Sequence, residues 1–103
     1  GRLLPVIEKL QGALIITADH GNADCMFMLD KKTGEPILSE SGEPKVMTSH
    51  TLNAVPLHIY APGQKIRLRT QNEAAGLSSL ASTVLTLLGR RAPVDFVPSL
   101  IEE

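Results

Sequence analysis

The sequence holds a single cysteine, Cys25, no tryptophan, and only three other aromatic side chains, Phe27, Tyr60 and Phe96. One cysteine excludes an internal disulfide and fits a reducing compartment. So few aromatics leave no surface on which nucleic-acid bases would stack. Charge of one sign is missing too: 10 Lys and Arg stand against 11 Asp and Glu, for a net charge of −1. No electrostatic field therefore favours nucleic acid or an anionic membrane as partner. No apolar run approaches the roughly 20 residues needed to span a bilayer. Glycine-rich phosphate loops and a Gly-x-Ser-x-Gly turn are absent as well. The chain opens Gly1-Arg2 without Met, and its first segment reads as a folded helix. No signal peptide is expected, and processing or excision from a longer protein is.

What is present is globular: 103 residues with 43% hydrophobic content, enough for one small domain with a limited core. Leu3, Leu4, Val6, Ile7 and Leu10 recur at helical spacing, predicting a helix over 2–10 that ends at Gln11-Gly12, with Gly12 as its left-handed cap. Residues 13–18, Ala-Leu-Ile-Ile-Thr-Ala, show no polar alternation, as expected of a strand covered on both faces in a parallel sheet. Residues 30–47 carry Thr-Gly-Glu-Pro and Ser-Gly-Glu-Pro turns and read as a surface loop or hairpin excursion. Val55–Tyr60 reads as a second buried strand, and 66–69 as an edge strand. Leu77, Leu80, Ala81, Val84, Leu85 and Leu88 form one apolar stripe of a helix that Gly89 ends. The fold class is α/β. Two helices cannot cover both faces of such a sheet, so partner strands are expected outside this chain, either in a larger domain or in a partner on which the chain docks.

The first apolar run stops at Asp19-His20-Gly21-Asn22. Ligand sites in open α/β sheets lie at the carboxyl ends of strands. Neighbouring residues of a straight strand point to opposite faces, so Asp19 and His20 converge only if the backbone turns at once, which Gly21 permits. A carboxylate and a neutral imidazole suit zinc or manganese. The plainer alternative is an Asp that organises its own turn beside an exposed His. His50, in Thr48-Ser49-His50-Thr51, precedes the second strand. In a parallel sheet that is the wrong end to reach Asp19, unless the 30–49 excursion carries it back; otherwise it is an idle loop histidine. His58 lies within the strand and reads as a packed histidine with a satisfied ring. Cys25 reads as a small buried residue. A Ser49–His50–Asp19 triad can be drawn, but no nucleophile turn supports it.

Taken together, IITADHGNAD and TSHTLNAVP, with GRLLPVIEKL before them and AGLSSLASTVLTLLG and PSLI after, resemble the C-terminal part of the cofactor-independent phosphoglycerate mutases, within the alkaline phosphatase superfamily. The resemblance spans nearly the whole chain, and the two His-containing motifs are specific as a pair. One departure is Ala81-Ser82-Thr83, where the family commonly shows Ala-Pro-Thr. The resemblance implies that residues 1–103 are the C-terminal segment of a phosphatase-like metal-binding domain, part of a mostly parallel sheet flanked by helices and incomplete in this chain. It implies two divalent metal ions, manganese first, with zinc, cobalt or magnesium as alternatives. Asp19 and His20 would hold one ion and His50 the other. It implies interconversion of 3- and 2-phosphoglycerate through a phosphoserine, in the cytoplasm. The nucleophilic serine has no counterpart here, nor do the other ligands, the activating lysine and the clamping arginines; Arg67, Arg69, Arg90 and Arg91 match none of the clamps. The isolated chain is therefore expected to be inactive, with the remainder of its own chain as partner. A phosphopentomutase, a phosphatase or a non-catalytic module docking on another chain are the competing readings.

Overall fold

The computed structural model describes residues 1–70 and 74–102; the expected segment 1–103 includes four positions, 71–73 and 103, that lie outside the described residues. The chain divides into two compact units, Gly1–Ile15 with His58–Glu103, and Ile16–Leu57.

In the first unit, helix α1 spans Leu3–Lys9. Pro5 sits in its first turn, where a missing N–H costs little because the first N–H groups of a helix have no intrahelical acceptor. Lys9 occupies the last turn, facing the negative end of the helix dipole. The helix closes with a paired cap: Gln11 N–H donates to Glu8 O at 3.1 Å and Gly12 N–H to Ile7 O at 2.9 Å. The left-handed residue of that cap is Gln11, with φ 53°, and not Gly12 as expected. Helix α2, Leu80–Leu87, repeats the motif with the residue that suits it. Gly89 has φ 68°, and Gly89 N–H and Arg90 N–H reach Thr86 O and Leu85 O.

Strands β1 (Leu14–Ile16) and β2 (His58–Tyr60) form a two-stranded antiparallel sheet. The expected parallel order rested on continuous apolarity, which reports burial and is silent on strand direction. Here Ile16 is 52% exposed, and His58, expected to be packed, is exposed because no described element covers its face. In an antiparallel pair the carboxyl end of β1 lies beside the start of β2. The residues just before β2 are thus delivered to the end where Asp19 and His20 begin.

A 3-10 turn, Leu77–Ser79, leads into helix α2, Leu80–Leu87. Ser79 of the turn and Ser82 and Thr83 of the helix are buried, while Leu77, Val84 and Leu88 of the expected apolar stripe are exposed. The hydroxyl face packs on the C-terminal segment. Ser82 Oγ donates to Val97 O at 2.6 Å, and Thr83 Oγ1 accepts from Leu100 N–H at 3.0 Å while donating to Ser79 O at 2.7 Å. Ser82, the departure from the family pattern, is thus a tether for the tail. That tail bridges Leu68 through Ile101, and Arg67 pairs with Glu102 at 3.7 Å. Tyr60 of β2 donates its hydroxyl to Glu8 of α1. Among the described residues the buried apolar side chains are Ala61 and Ile101 alone, and no helix is long and apolar enough to cross a membrane.

The second unit is the connection between β1 and β2. Residues 26–47 run as three short extended segments, bridged Phe27 to Val46, Leu29 to Pro36 and Leu38 to Pro44. Their turns use glycines in the left-handed region, Gly34 (φ 73°) and Gly42 (φ 84°). Asp30 Oδ1 accepts the backbone N–H of Lys32 at 2.7 Å and of Thr33 at 3.0 Å. These bonds, that of Thr33 foremost, hold the Asp30 carboxyl below the ordinary carboxylate range.

Candidate metal centre

Asp19, His20 and His50 all fall in the second unit. His20 is held by a backbone contact of its own ring. Its Nδ1 lies 3.0 Å from Gly21 O. A carbonyl oxygen can only accept, so the ring proton sits on Nδ1 and the Nε2 lone pair is free when the ring is neutral. A ring nitrogen committed to a backbone carbonyl is the usual second contact of a metal-binding histidine. Nε2 faces Asp19 Oδ1 at 3.5 Å. Two donors about 2.1 Å from one tetrahedral ion would be about 3.4 Å apart. The pair therefore has the spacing of two ligands of a single ion, with Asp19 exposed and His20 half-buried.

His50 comes from the other arm of the unit. Its ring stacks on that of His20, with centroids 3.4 Å apart and planes 10° from parallel. Parallel stacked rings direct their nitrogens along neighbouring planes rather than toward one point, which suits adjacent ions better than a shared one. Among the described residues no group of three or more His, Cys, Asp or Glu side chains gathers round one position. The candidate donors fall as a pair and a singlet, fewer than the four or more that a zinc or manganese ion takes.

The two arms are joined by contacts the sequence reading did not single out. Gly21 and Thr51 form an antiparallel bridge, with Thr51 N–H donating to Gly21 O at 2.8 Å. Asn22 Nδ2 donates to Ser49 O at 3.2 Å. The Asp24 carboxylate accepts from Thr51 Oγ1 at 3.2 Å and from Asn53 Nδ2 at 2.6 Å. The Asn53 bond is the foremost cause that lowers the Asp24 pKa from its ordinary value. Gly21 is buried, and a Cβ there would stand 2.0 Å from Thr51 Oγ1 and 2.7 Å from Asp24 Oδ1. Its role is thus close approach, not the backbone freedom expected for a sharp turn. No local pattern marks these residues, because their contacts with the opposite arm span 27 to 29 positions of the chain. Cys25, expected to be buried, is half-buried, its thiol donating to Phe27 O at 3.4 Å. Ser49 contributes its carbonyl rather than its hydroxyl to the contact with Asn22.

Comparison with known proteins gives one consistent result. The family model described as the Metalloenzyme superfamily matches residues 1–92. The chain is 44% identical over 102 residues to 2,3-bisphosphoglycerate-independent phosphoglycerate mutase 1 of Arabidopsis thaliana, covering 97% of this chain and 18% of that protein. It is 42% identical over 103 residues to the corresponding mutase of Trypanosoma brucei brucei, covering 98% and 18%. The solved structure of Leishmania mexicana phosphoglycerate mutase at low cobalt concentration superposes with a TM-score of 0.88 at 42% identity, over 97% of this chain and 18% of that one. The match lies in the C-terminal part of these mutases, and the chain spans 18% of the relatives' length.

Proposed function

This chain belongs to the metalloenzyme superfamily, and on that premise we propose that the intact protein is a metal-dependent phosphoglycerate mutase that interconverts 3- and 2-phosphoglycerate through a phosphoserine. The observation that carries the reading is identity of 42–44% to mutases across 97–98% of the chain. The parallel remainder of the sheet, the nucleophilic serine, the other ligands and the substrate clamps would come from the rest of the protein, which is cytoplasmic on this reading.

Two divalent ions, manganese in the first instance, would supply charge neutralisation on either side of a transferring phosphoryl group. Asp19 and His20 would hold one and His50 the other. The Nδ1–H bond to Gly21 O keeps the His20 proton away from the ligating nitrogen. The Asp19 carboxylate contributes negative charge that a cation offsets. The stack of His50 on His20 keeps the two imidazoles side by side, so that donors for two ions reach one substrate. Electrostatic preorganisation of this kind is what phosphoryl transfer asks of a protein.

The test is an assay of the full-length parent with Mn2+ and either phosphoglycerate, beside the 103-residue chain alone. Interconversion by the parent and none by the chain is expected. Turnover by the chain alone, or a parent that acts on phosphopentoses or hydrolyses phosphate esters instead, would overturn the reading. Asp19→Ala in the parent is expected to abolish turnover and release metal while the circular dichroism spectrum stays unchanged.

A further inference from the structure

We propose that Asp24 is a positioning residue for His50: by gripping Thr51 and Asn53, its carboxylate sets the His50 ring against His20 and so determines affinity for the ion that His50 holds. This rests on the reading of His50 as a ligand given above.

The two histidines are held in different ways. His20 is oriented within its own loop by Gly21 O on its Nδ1, with Asp19 Oδ1 3.5 Å from Nε2. His50 is exposed and is held by its stack on His20 and by the backbone to either side of it. On the near side Asn22 Nδ2 donates to Ser49 O at 3.2 Å. On the far side Thr51 N–H donates to Gly21 O at 2.8 Å, and the two arms are then locked through one carboxylate. Asp24 Oδ2 accepts Asn53 Nδ2 at 2.6 Å and Thr51 Oγ1 at 3.2 Å, and Thr51 Oγ1 itself accepts Asn53 N–H at 3.4 Å. Asp24 is the residue of the His20 arm whose side chain reaches two residues of the His50 arm. A carboxylate suits the task because both its oxygens accept, so it serves a hydroxyl and an amide together with charge-assisted strength. Gly21, bare of a Cβ, leaves the room in which this closure happens. Groups that orient a ligand from behind usually change metal affinity by 10- to 100-fold when removed.

The experiment is a Co2+ titration of the full-length, metal-stripped parent, followed by calorimetry and by the visible absorption of bound Co2+. Asp24→Ala is expected to weaken one of two binding events by about 10- to 100-fold and to leave the other within about threefold. The weakened event is the one that His50→Ala removes. In a His50→Ala background, Asp24→Ala should then add nothing, because both act on one ligand. Asp24→Asn, which keeps the shape and loses one acceptor, carries the same expectation at smaller amplitude and serves if Asp24→Ala does not fold. The proposal is overturned if Asp24→Ala leaves both events unchanged, weakens both alike, or adds its full effect without His50. A His50→Ala protein that still binds both ions would remove His50 as a ligand, and the proposal with it; the mutase assay above is unaffected by that outcome and tests the activity separately.

Discussion

The imidazoles of His20 and His50 lie face to face, 3.4 Å between centroids and 10° from parallel, though thirty positions separate them in the sequence. The stack gives each ring its own coordination plane, so each histidine should serve its own ion. In the full-length parent, His20→Ala and His50→Ala are each expected to lower bound metal from about two ions per chain to about one, as expected when one ligand of each of two sites is removed. Elemental analysis after gel filtration measures this. The double variant is expected to hold none; one ion retained there would mean that the rings share a single site.

Gly21→Ala should be far more damaging than glycine-to-alanine changes at open positions. The new methyl would meet Thr51 Oγ1 at 2.0 Å and Asp24 Oδ1 at 2.7 Å. Thr51 is β-branched and its hydroxyl sits close to the backbone, so relief requires a new χ1 and loss of the bond to Asp24. A cost of about 1–3 kcal/mol is expected, read as a lower denaturation midpoint. Adding Thr51→Ala should recover part of it, since the worst contact is gone. No recovery would place the clash elsewhere.

Gln11 occupies a left-handed position, φ 53°, that the equivalent cap of α2 gives to Gly89. An L-residue there is strained by roughly 1 kcal/mol, and glycine is not. Gln11→Gly is expected to raise stability by about 0.5–1 kcal/mol in urea unfolding with the slope unchanged. Gly89→Ala is expected to lower it by about 1 kcal/mol.

Sequence periodicity found the elements because helix and strand periods are local properties. The helix expected over 2–10 is Leu3–Lys9, and the strand expected over 13–18 is Leu14–Ile16. Direction was not legible, because apolarity alone cannot tell a parallel neighbour from an antiparallel one. That hid how His50 reaches His20 without a crossover. The buried face of α2 is hidden from the sequence for a related reason. Ser79 Oγ accepts from Gly76 N–H, while Ser82 and Thr83 satisfy their hydroxyls on backbone carbonyls and on the tail, and hydropathy assigns such residues to solvent. Asp19 and His20 stood out because an acid and an imidazole end an apolar run. Asp24 did not, because its meaning lies in Thr51 and Asn53, whose distance from it in the chain no local pattern records.

Tyr60 predicts an alkaline transition. Its hydroxyl donates to Glu8, and that bond, with burial and the Glu8 charge behind it, raises its pKa above the ordinary tyrosine value. A pKa raised in the folded state means that folding favours the protonated form. The contribution is therefore complete below about pH 10 and lost as pH rises through the folded value. Parent protein should lose stability more steeply above that pH than Tyr60→Phe does, because the variant has no such proton to lose. Equal slopes would show that the α1–β2 tie does not report on folding.

Val84 tests whether the uncovered apolar face belongs inside a larger domain. It is 44% exposed on α2 and lines, with Ala13, Ile15, Leu87 and Leu88, a groove of about 330 Å³. In the 103-residue chain, Val84→Lys replaces an exposed methyl pair by a solvated charge, and a change within about 0.5 kcal/mol is expected together with less self-association. In the full-length parent the proposed remainder of the domain would cover this face. The same substitution would then bury an unpaired ammonium, costing about 2 kcal/mol or more. Thermal midpoints of the two proteins should respond with different magnitudes. If the parent tolerates the lysine as well as the short chain does, the groove stays open in the whole protein and the missing sheet packs elsewhere.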